Sequence, residues 1–398
     1  MLVGALKEAG GERRVSLTPK VVKRFGAPSL QFAVESGAGA GSIYSDAEYL
    51  ACGAAIENKN EIIKKADVLL AVGCPDEGTI SAMQEGTVLV GQLSPLKNEP
   101  LMRLLAEKGV EAFSLERLPR ISRAQPMDVL SSQSSLAGYQ AVILAASKLG
   151  RVFPLMMTPT GSIPAVKVLV VGAGIAGLQA IATAKRLGAV VCAFDVRSSA
   201  KEEVESLGAT FMDVPNTESG EGGGGYAKEM GAEYKKAQEA KLLEVIGRQD
   251  VVITTAQIPD KPAPRIITRQ MIELMPPNSI VVDLAGENGG NCEGARLGEE
   301  VCFGGRRLIA PLRILNEVAQ TASDLLAANF MAFVTSLLRE EQYNPAVTQV
   351  NLADVAEGQA RETTTPAKEK KRISFDLDDQ LVKSSLIPAV INVVSSRK

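Results

Sequence analysis

The segment VKVLVVGAGIAGLQAIATAKRLGAVVCAFDVR, residues 166–197, constrains this chain more than any other. It opens on an unbroken apolar run, VKVLVV, the pattern of a strand buried on both faces. Gly172, Gly174 and Gly177 follow in G-x-G-x-x-G spacing, then a run of good helix formers, then a second apolar run that ends at Asp195. Each glycine has its own task in such a unit. Gly172 permits the tight turn, Gly174 lets a pyrophosphate approach the backbone, and Gly177 lets helix and strand pack closely. The helix then turns its free amides and positive dipole end toward phosphates. Asp195 is placed to accept hydrogen bonds from an adenosine ribose and to repel a 2′-phosphate, which favours NAD over NADP. Arg197 pulls the other way: a nearby arginine either accommodates a 2′-phosphate or is a solvated charge. Strand, glycines, helix, strand and carboxylate in this order predict a Rossmann dinucleotide-binding unit.

A second constraint is an absence. None of the 398 residues is histidine. That excludes an imidazole general base and an imidazole metal site. A dehydrogenase oxidising an alcohol or amine would need Lys, Tyr, Asp or Glu to take the proton. The cysteines, Cys52, Cys74, Cys192, Cys292 and Cys302, are scattered and never spaced as CxxC, which predicts a reduced compartment and no zinc. The start, MLVGALKEAGGERR, has no secretory apolar region, and no run approaches the ~18 apolar residues of a membrane helix. A net charge of −3 without a long basic run argues against nucleic acid as partner.

The length predicts two or three domains at roughly 100–200 residues each. Residues 1–115 alternate strand-like runs, VLLAVG (68–73) and TVLVGQL (87–93), with helical ones, EYLACGAAI (48–56) and EPLMRLLAEKG (99–109). This alternation predicts a parallel sheet. No glycine-rich phosphate turn follows its first strand. Residues 116–135 are polar and turn-rich, and a helix is expected over 136–150. A dinucleotide-type α/β unit begins at Val166 and runs to about residue 310. Within it, ESGEGGGG (218–225) reads as a mobile surface loop or a disordered linker. An amphipathic helix over 316–340 is expected to return the chain to the first domain. Residues 357–371 read as an exposed linker, and 384–394 as a terminal strand. The expected fold class is α/β with two parallel-sheet domains. A Rossmann domain (131–314) is inserted in a discontinuous first domain (1–130, completed by 315–398), with NAD in the cleft between them.

Two later segments, DVVITTAQIPDKPAP (250–264) and SIVVDLAGENGGNCE (279–293), read as further strands ending in polar turns. Ligands gather at that edge of such sheets. Gln257 is therefore near the cofactor by topology, and Leu284, Ala285 and Glu287 stand at the next strand end, each as readily structural. RISRAQPMD (120–128) is an Arg/Gln/Asp cluster whose plain alternative is a polar turn with a helix cap at Ser131 or Ser132.

Six segments together carry a family resemblance: KEAGGERRVSLTP (7–19), RISRAQPMDVLSSQ (120–133), GAGIAGLQAIATAKRLGA (172–189), GGYAKEMGAEY (224–234), TTAQIPDKPAP (254–264) and DLAGENGGNCE (283–293). The chain resembles the NAD(H)-binding domain I, the separate soluble alpha-1 subunit, of the proton-translocating NAD(P) transhydrogenases. These share a fold with alanine dehydrogenase. The resemblance implies that domain I binds NADH and passes hydride directly to NADP⁺ held on a partner domain III, on the beta subunit. A membrane domain II couples the transfer to proton translocation. It implies a homodimer, peripheral to the membrane on its cytoplasmic side through the partner subunits. It implies Arg120, Gln125 and Asp128 beside the nicotinamide as catalytic residues, with Ile121, Ser122 and Ser131 in the same loop. Gly225 and Tyr226 match the pair of a loop that closes over the cofactor, and Gln238 a further contact. Ile175 lies inside the glycine turn; Asp195, Val196 and Arg197 match the adenosine-ribose site; Gln257 stands where the family can carry Leu.

Direct transfer between nicotinamides moves a hydride and no proton, so a chain without histidine suits it. Alanine dehydrogenase shares the ERRVSLTP resemblance but uses a Lys and a His, where AVGCP (71–75) and VGQLSP (90–95) place Gly73 and Gln92. One stretch departs from the transhydrogenase pattern: IAPLRILNEVAQTAS (309–323) lacks its N-x-P-S-R element, although the helical residues after it survive. That departure motivates one alternative, an NAD(H)-binding module without catalysis; the shared ERRVSLTP region carries the other, an alanine-dehydrogenase-like enzyme, against which Gly73 and Gln92 count.

Overall fold

A computed structural model of the chain describes residues 1–214, 220, 222, 230–258, 261–338 and 379–387. The chain divides into two compact units, Met1–Ser132 with the described part of Ala319–Lys398, and Gln133–Val318.

The first unit alternates strand and helix: β1 (Leu2–Ala5), α1 (Pro19–Phe25), β2 (Gln31–Glu35), α2 (Asp46–Ala51), β3 (Ala55–Glu57), α3 (Lys59–Lys65), β4 (Val68–Ala71), α4 (Glu77–Ala82), β5 (Val88–Gly91), α5 (Glu99–Glu107) and β6 (Glu111–Ser114). The strands form one parallel sheet in the order β3-β2-β1-β4-β5-β6. Strands β4 and β5 are buried at every position, which is why they read as unbroken apolar runs. Side-chain caps start α2, α3 and α4: Ser45 in a capping box with Glu48, then Asn58 and Asp76. The helix expected over 48–56 ends at Ala51. Gly53 takes a left-handed conformation (φ 89°), and the remainder becomes β3, with Ile56 paired to Val34.

Helix α6 spans Val129–Leu149 and starts seven residues before the expected 136–150, inside the stretch read as polar turn. The second unit then forms a hairpin of β7 (Met156–Thr158) and β8 (Gly161–Ile163). It continues through β9 (Lys167–Val171), α7 (Ile175–Arg186), β10 (Val190–Phe194), α8 (Ala200–Ser206), β11 (Thr210–Phe211), α9 (Ala232–Ile246), β12 (Val251–Thr254), α10 (Arg269–Leu274), β13 (Ile280–Asp283), β14 (Glu300–Phe303) and β15 (Arg306–Ile309). The sheet order is β11-β10-β9-β12-β13-β15-β14. All its pairings are parallel except the last, where β14 runs antiparallel to β15 through the tight Gly304–Gly305 connection.

Past residue 318 the chain is again in the first unit. Helix α11 (Ala319–Leu337) replaces the helix expected over 316–340, and Phe333 packs on Phe113 of β6 at 5.3 Å between ring centroids. The expected strand over 384–394 begins instead as the end of helix α12 (Gln380–Ser385), because Asp379 caps that helix. Leu386 then bridges to the sheet at Phe113, and residues 388–394 lie outside the described residues. The linker expected over 357–371 also lies outside them, as does the 218–225 loop apart from Gly220 and Gly222. Among the described residues no helix is long and apolar enough to cross a membrane.

Candidate dinucleotide-binding site

The turn between β9 and α7 is built by its glycines. Gly172 has φ 96°, and a Cβ there would meet Thr255 Oγ1 at 2.7 Å and the Ala256 nitrogen at 3.0 Å. At Gly177 a Cβ would lie 1.8 Å from the Gly172 carbonyl oxygen, so no larger residue lets α7 approach the turn. Gly174 differs: among the described residues nothing lies within 4 Å of its Cβ position. It is the N-cap of α7 and has no side chain with which to cap the helix, in contrast to the capping residues of α2, α3, α4 and α10. The amides at Gly174 and Ile175 therefore face an open cradle of the kind that takes a phosphate.

Asp195 follows β10 and reaches back to this turn. Its carboxylate accepts from the Ala173 amide at 2.7 Å, from the Arg197 amide at 2.8 Å, and from Arg197 Nε and Nη2 at 3.0 and 3.1 Å. The side chains of this ion pair are 14% (Arg197) and 6% (Asp195) exposed, and its hydrogen bonds fix the carboxylate in place against the turn. The guanidinium is paired with Asp195 and mostly buried, so Arg197 is not a solvated charge in this arrangement. Val196 lies between them. Tyr234 on α9 is buried, and burial, then the Asp195 charge, push its phenol up to about 12. Gln238 sits one helical turn along and is also buried. The sequence draws attention to Gln238 but not to Tyr234, for which the four-residue spacing is the one signal.

Two loops back the turn. After β12, Thr255 donates from Oγ1 to the Gly172 carbonyl at 2.9 Å, and Gln257 is exposed just beyond. After β13, Asn291 is fully buried. It donates from Nδ2 to the carbonyls of Ala256 and Pro264, both at 2.8 Å, and accepts from the Ala256 amide at 3.0 Å. Asp283 in turn accepts from Thr254 Oγ1, the Ala285 amide and the Cys292 amide. Burial first, and the Asp283 charge second, push the Cys292 thiol well above its ordinary range, so it is a neutral core group. Leu284, Ala285 and Glu287 lie in this second loop, with Ala285 buried and Glu287 exposed.

The 120–131 loop belongs to the first unit. Ser122–Met127 form a 3₁₀ turn on which Ser122 and Gln125 are exposed; Arg120 is exposed just before it and Ile121 half-buried. Asp128, not Ser131 or Ser132, caps α6: its carboxylate accepts from the Ser131 amide at 2.9 Å and from the Ser131 hydroxyl. Asn329 of α11 fixes this loop from beneath, donating to the Pro126 carbonyl and accepting from the Ser132 hydroxyl, each at 2.7 Å. Gly225 and Tyr226 lie outside the described residues.

The family model described as the alanine dehydrogenase/PNT N-terminal domain matches residues 4–137, and that of the C-terminal domain matches residues 141–360. The chain belongs to the alanine dehydrogenase/PNT family. Within this family it is 46% identical over 333 residues to the first portion of the NAD(P) transhydrogenase alpha subunit of Rhodospirillum rubrum, an alignment spanning 82% of the chain and 87% of the relative. The crystal structure of a transhydrogenase from Sinorhizobium meliloti is 43% identical, with a TM-score of 0.77 over 86% of the chain and 95% of that structure. An L-alanine dehydrogenase structure matches the full length of both chains with a TM-score of 0.73 but 22% identity, a likeness of fold alone.

Proposed function

We propose that the chain is the NAD(H)-binding component of a proton-translocating, Re/Si-specific NAD(P) transhydrogenase, acting with partner subunits. The observation that carries this is the open glycine cradle at Gly174 with Asp195 behind it, in a chain 46% identical to a transhydrogenase alpha subunit. When bound, NADH supplies a hydride that passes directly to NADP⁺ held on the partner's NADP-binding domain III, not on this chain. The chain's own task is then to bind and orient. The α7 amides take the pyrophosphate, Gly172 and Gly177 keep the turn tight, and Asp195, Val196 and Arg197 hold the adenosine ribose. Arg120, Gln125 and Asp128 set the nicotinamide with Ile121, Ser122 and Ser131. Gly225, Tyr226, Gln238 and Gln257 complete the cofactor contacts. No residue need accept a proton, which suits a chain without histidine. In this reading the membrane domain II subunits provide the proton path, and the chain sits peripherally on their cytoplasmic side as a homodimer. The exposed apolar side chains around the β7–β8 hairpin, Leu155, Met156, Met157 and Ile163, support a covered face there.

Stopped-flow transfer from NADH to an NADP analogue on the partner domain tests this. Asparagine is a good helix cap, so Asp128→Asn keeps α6 intact. Asp128→Asn and Gln125→Asn should each slow transfer roughly tenfold or more while NADH binding changes less than about twofold. Full transfer rates in both variants contradict the assignment.

A further inference from the structure

We propose that Asn291 is a positioning residue for the dinucleotide, acting through Ala256 and Thr255 on the glycine turn; the inference rests on the NADH reading above. The path is continuous and lies within one unit. The buried Asn291 amide engages both the nitrogen and the carbonyl of Ala256, as a neighbouring strand would, and holds the Pro264 carbonyl as well. It thus extends the paired backbone beyond the end of β12. Ala256 and Thr255 so held press on Gly172, whose Cβ position lies 3.0 Å from the Ala256 nitrogen and 2.7 Å from Thr255 Oγ1. The Thr255 hydroxyl closes the path by donating to the Gly172 carbonyl. That same carbonyl is the atom against which Gly177 packs. The place of the turn beneath a pyrophosphate is therefore fixed from behind by an amide on a different loop.

Only an amide satisfies this site. A carboxylate of the same shape accepts from Ala256 N–H but cannot donate, and it faces two carbonyl oxygens with a negative charge. The loop carrying Asn291 is itself fixed. Asp283 holds the Cys292 amide at 2.9 Å, and Gly290 takes φ 82° where a Cβ would meet Asp283 Oδ2 at 2.9 Å. The strain of Asn291→Asp therefore falls on its two carbonyl partners, Pro264 and Ala256, and through Ala256 on the glycine turn.

The test compares NADH, which carries the pyrophosphate, with adenosine, which carries no phosphate, by calorimetry on the full chain and its variants. Asn291→Asp should weaken NADH about tenfold or more while adenosine stays within about twofold, because the phosphate cradle moves and the ribose site does not. Thr255→Val, which keeps the shape and removes the hydroxyl donor, should produce the same selective loss at about three- to tenfold. It decides the matter alone if Asn291→Asp fails to fold. Unchanged NADH affinity in both variants overturns the proposal. A parallel loss of NADH and adenosine overturns it too, because that is the mark of a merely structural residue. If the unaltered chain binds adenosine but not NADH, it is the function proposed above that fails, and this inference with it.

Discussion

The two sheets share the order third-second-first-fourth-fifth, and each leaves a crevice between its first and fourth strands, where the order reverses. They part at the turn that enters the crevice. In the first unit β1 runs on into Leu6-Lys7-Glu8, and the Glu8 carboxylate accepts from the Val72 amide at 2.7 Å and from the Gly73 amide, both just past β4. The chain's own acid thus takes up the donors at the switch point. In the second unit β9 runs on into Gly172-Ala173-Gly174. The residue past the matching strand, Thr255, binds the turn's carbonyl, and among the described residues no carboxylate takes up the α7 amides as Glu8 takes up those of Val72 and Gly73. Strand order makes a crevice in both units; the residues of one turn decide whether its amides serve the fold or a ligand.

The sharpest way to break this contrast is to add one methyl group. Gly177→Ala drives a Cβ to 1.8 Å from the Gly172 carbonyl oxygen. It should cost the second unit about 3 kcal/mol and weaken NADH at least a hundredfold or so, read by thermal melting and calorimetry. Affinity within tenfold of the parent would mean the turn is not the cradle.

The first crevice should respond to pH instead. Burial of the Glu8 carboxyl raises its pKa from 4.5 to about 7. The folded state then holds the proton more tightly than the unfolded chain. The resulting stability is full below pH 4.5 and is lost as pH rises through about 7, by up to about 3 kcal/mol. Glu8→Gln should flatten the fall in melting temperature across that window; an unchanged slope would show that Glu8 does not carry it.

Smaller effects sharpen selectivity. Asp195→Asn should weaken NADH about tenfold and release Arg197 to meet a 2′-phosphate, so NADPH binding improves. A constant NADH-to-NADPH ratio would show that this pair is not the selector. The smallest effect belongs to the first crevice: among the described residues nothing lies within 4 Å of the Gly73 Cβ position. Gly73→Ala should leave NADH affinity unchanged and stability within about 0.5 kcal/mol, checked by the same two measurements.

The strand–turn–helix–strand–carboxylate unit is legible in the sequence because all its signals are local. So are β4, β5 and α5, whose apolar runs are short and bounded by turn residues. Boundaries fail where one residue decides them. Gly53 cuts α2 from β3, and Asp128 starts α6 inside a stretch whose composition reads as turn. The supports of the site are not legible at all. Asn329 binds Pro126 across 203 positions, and Asn291 binds Ala256 across 35, and nothing local marks either asparagine as a partner. The antiparallel β14 escapes the sequence for a related reason: alternating strand and helix predicts parallel pairing, and a two-glycine hairpin at the edge overrides it.

The most direct test of the account is calorimetric titration of the unaltered chain with NADH, with NADPH as the matched control. NADH binding with NADPH at least about tenfold weaker is the predicted result, since Asp195 holds Arg197 back and repels a 2′-phosphate. Equal binding of the two, or binding of neither, would contradict it.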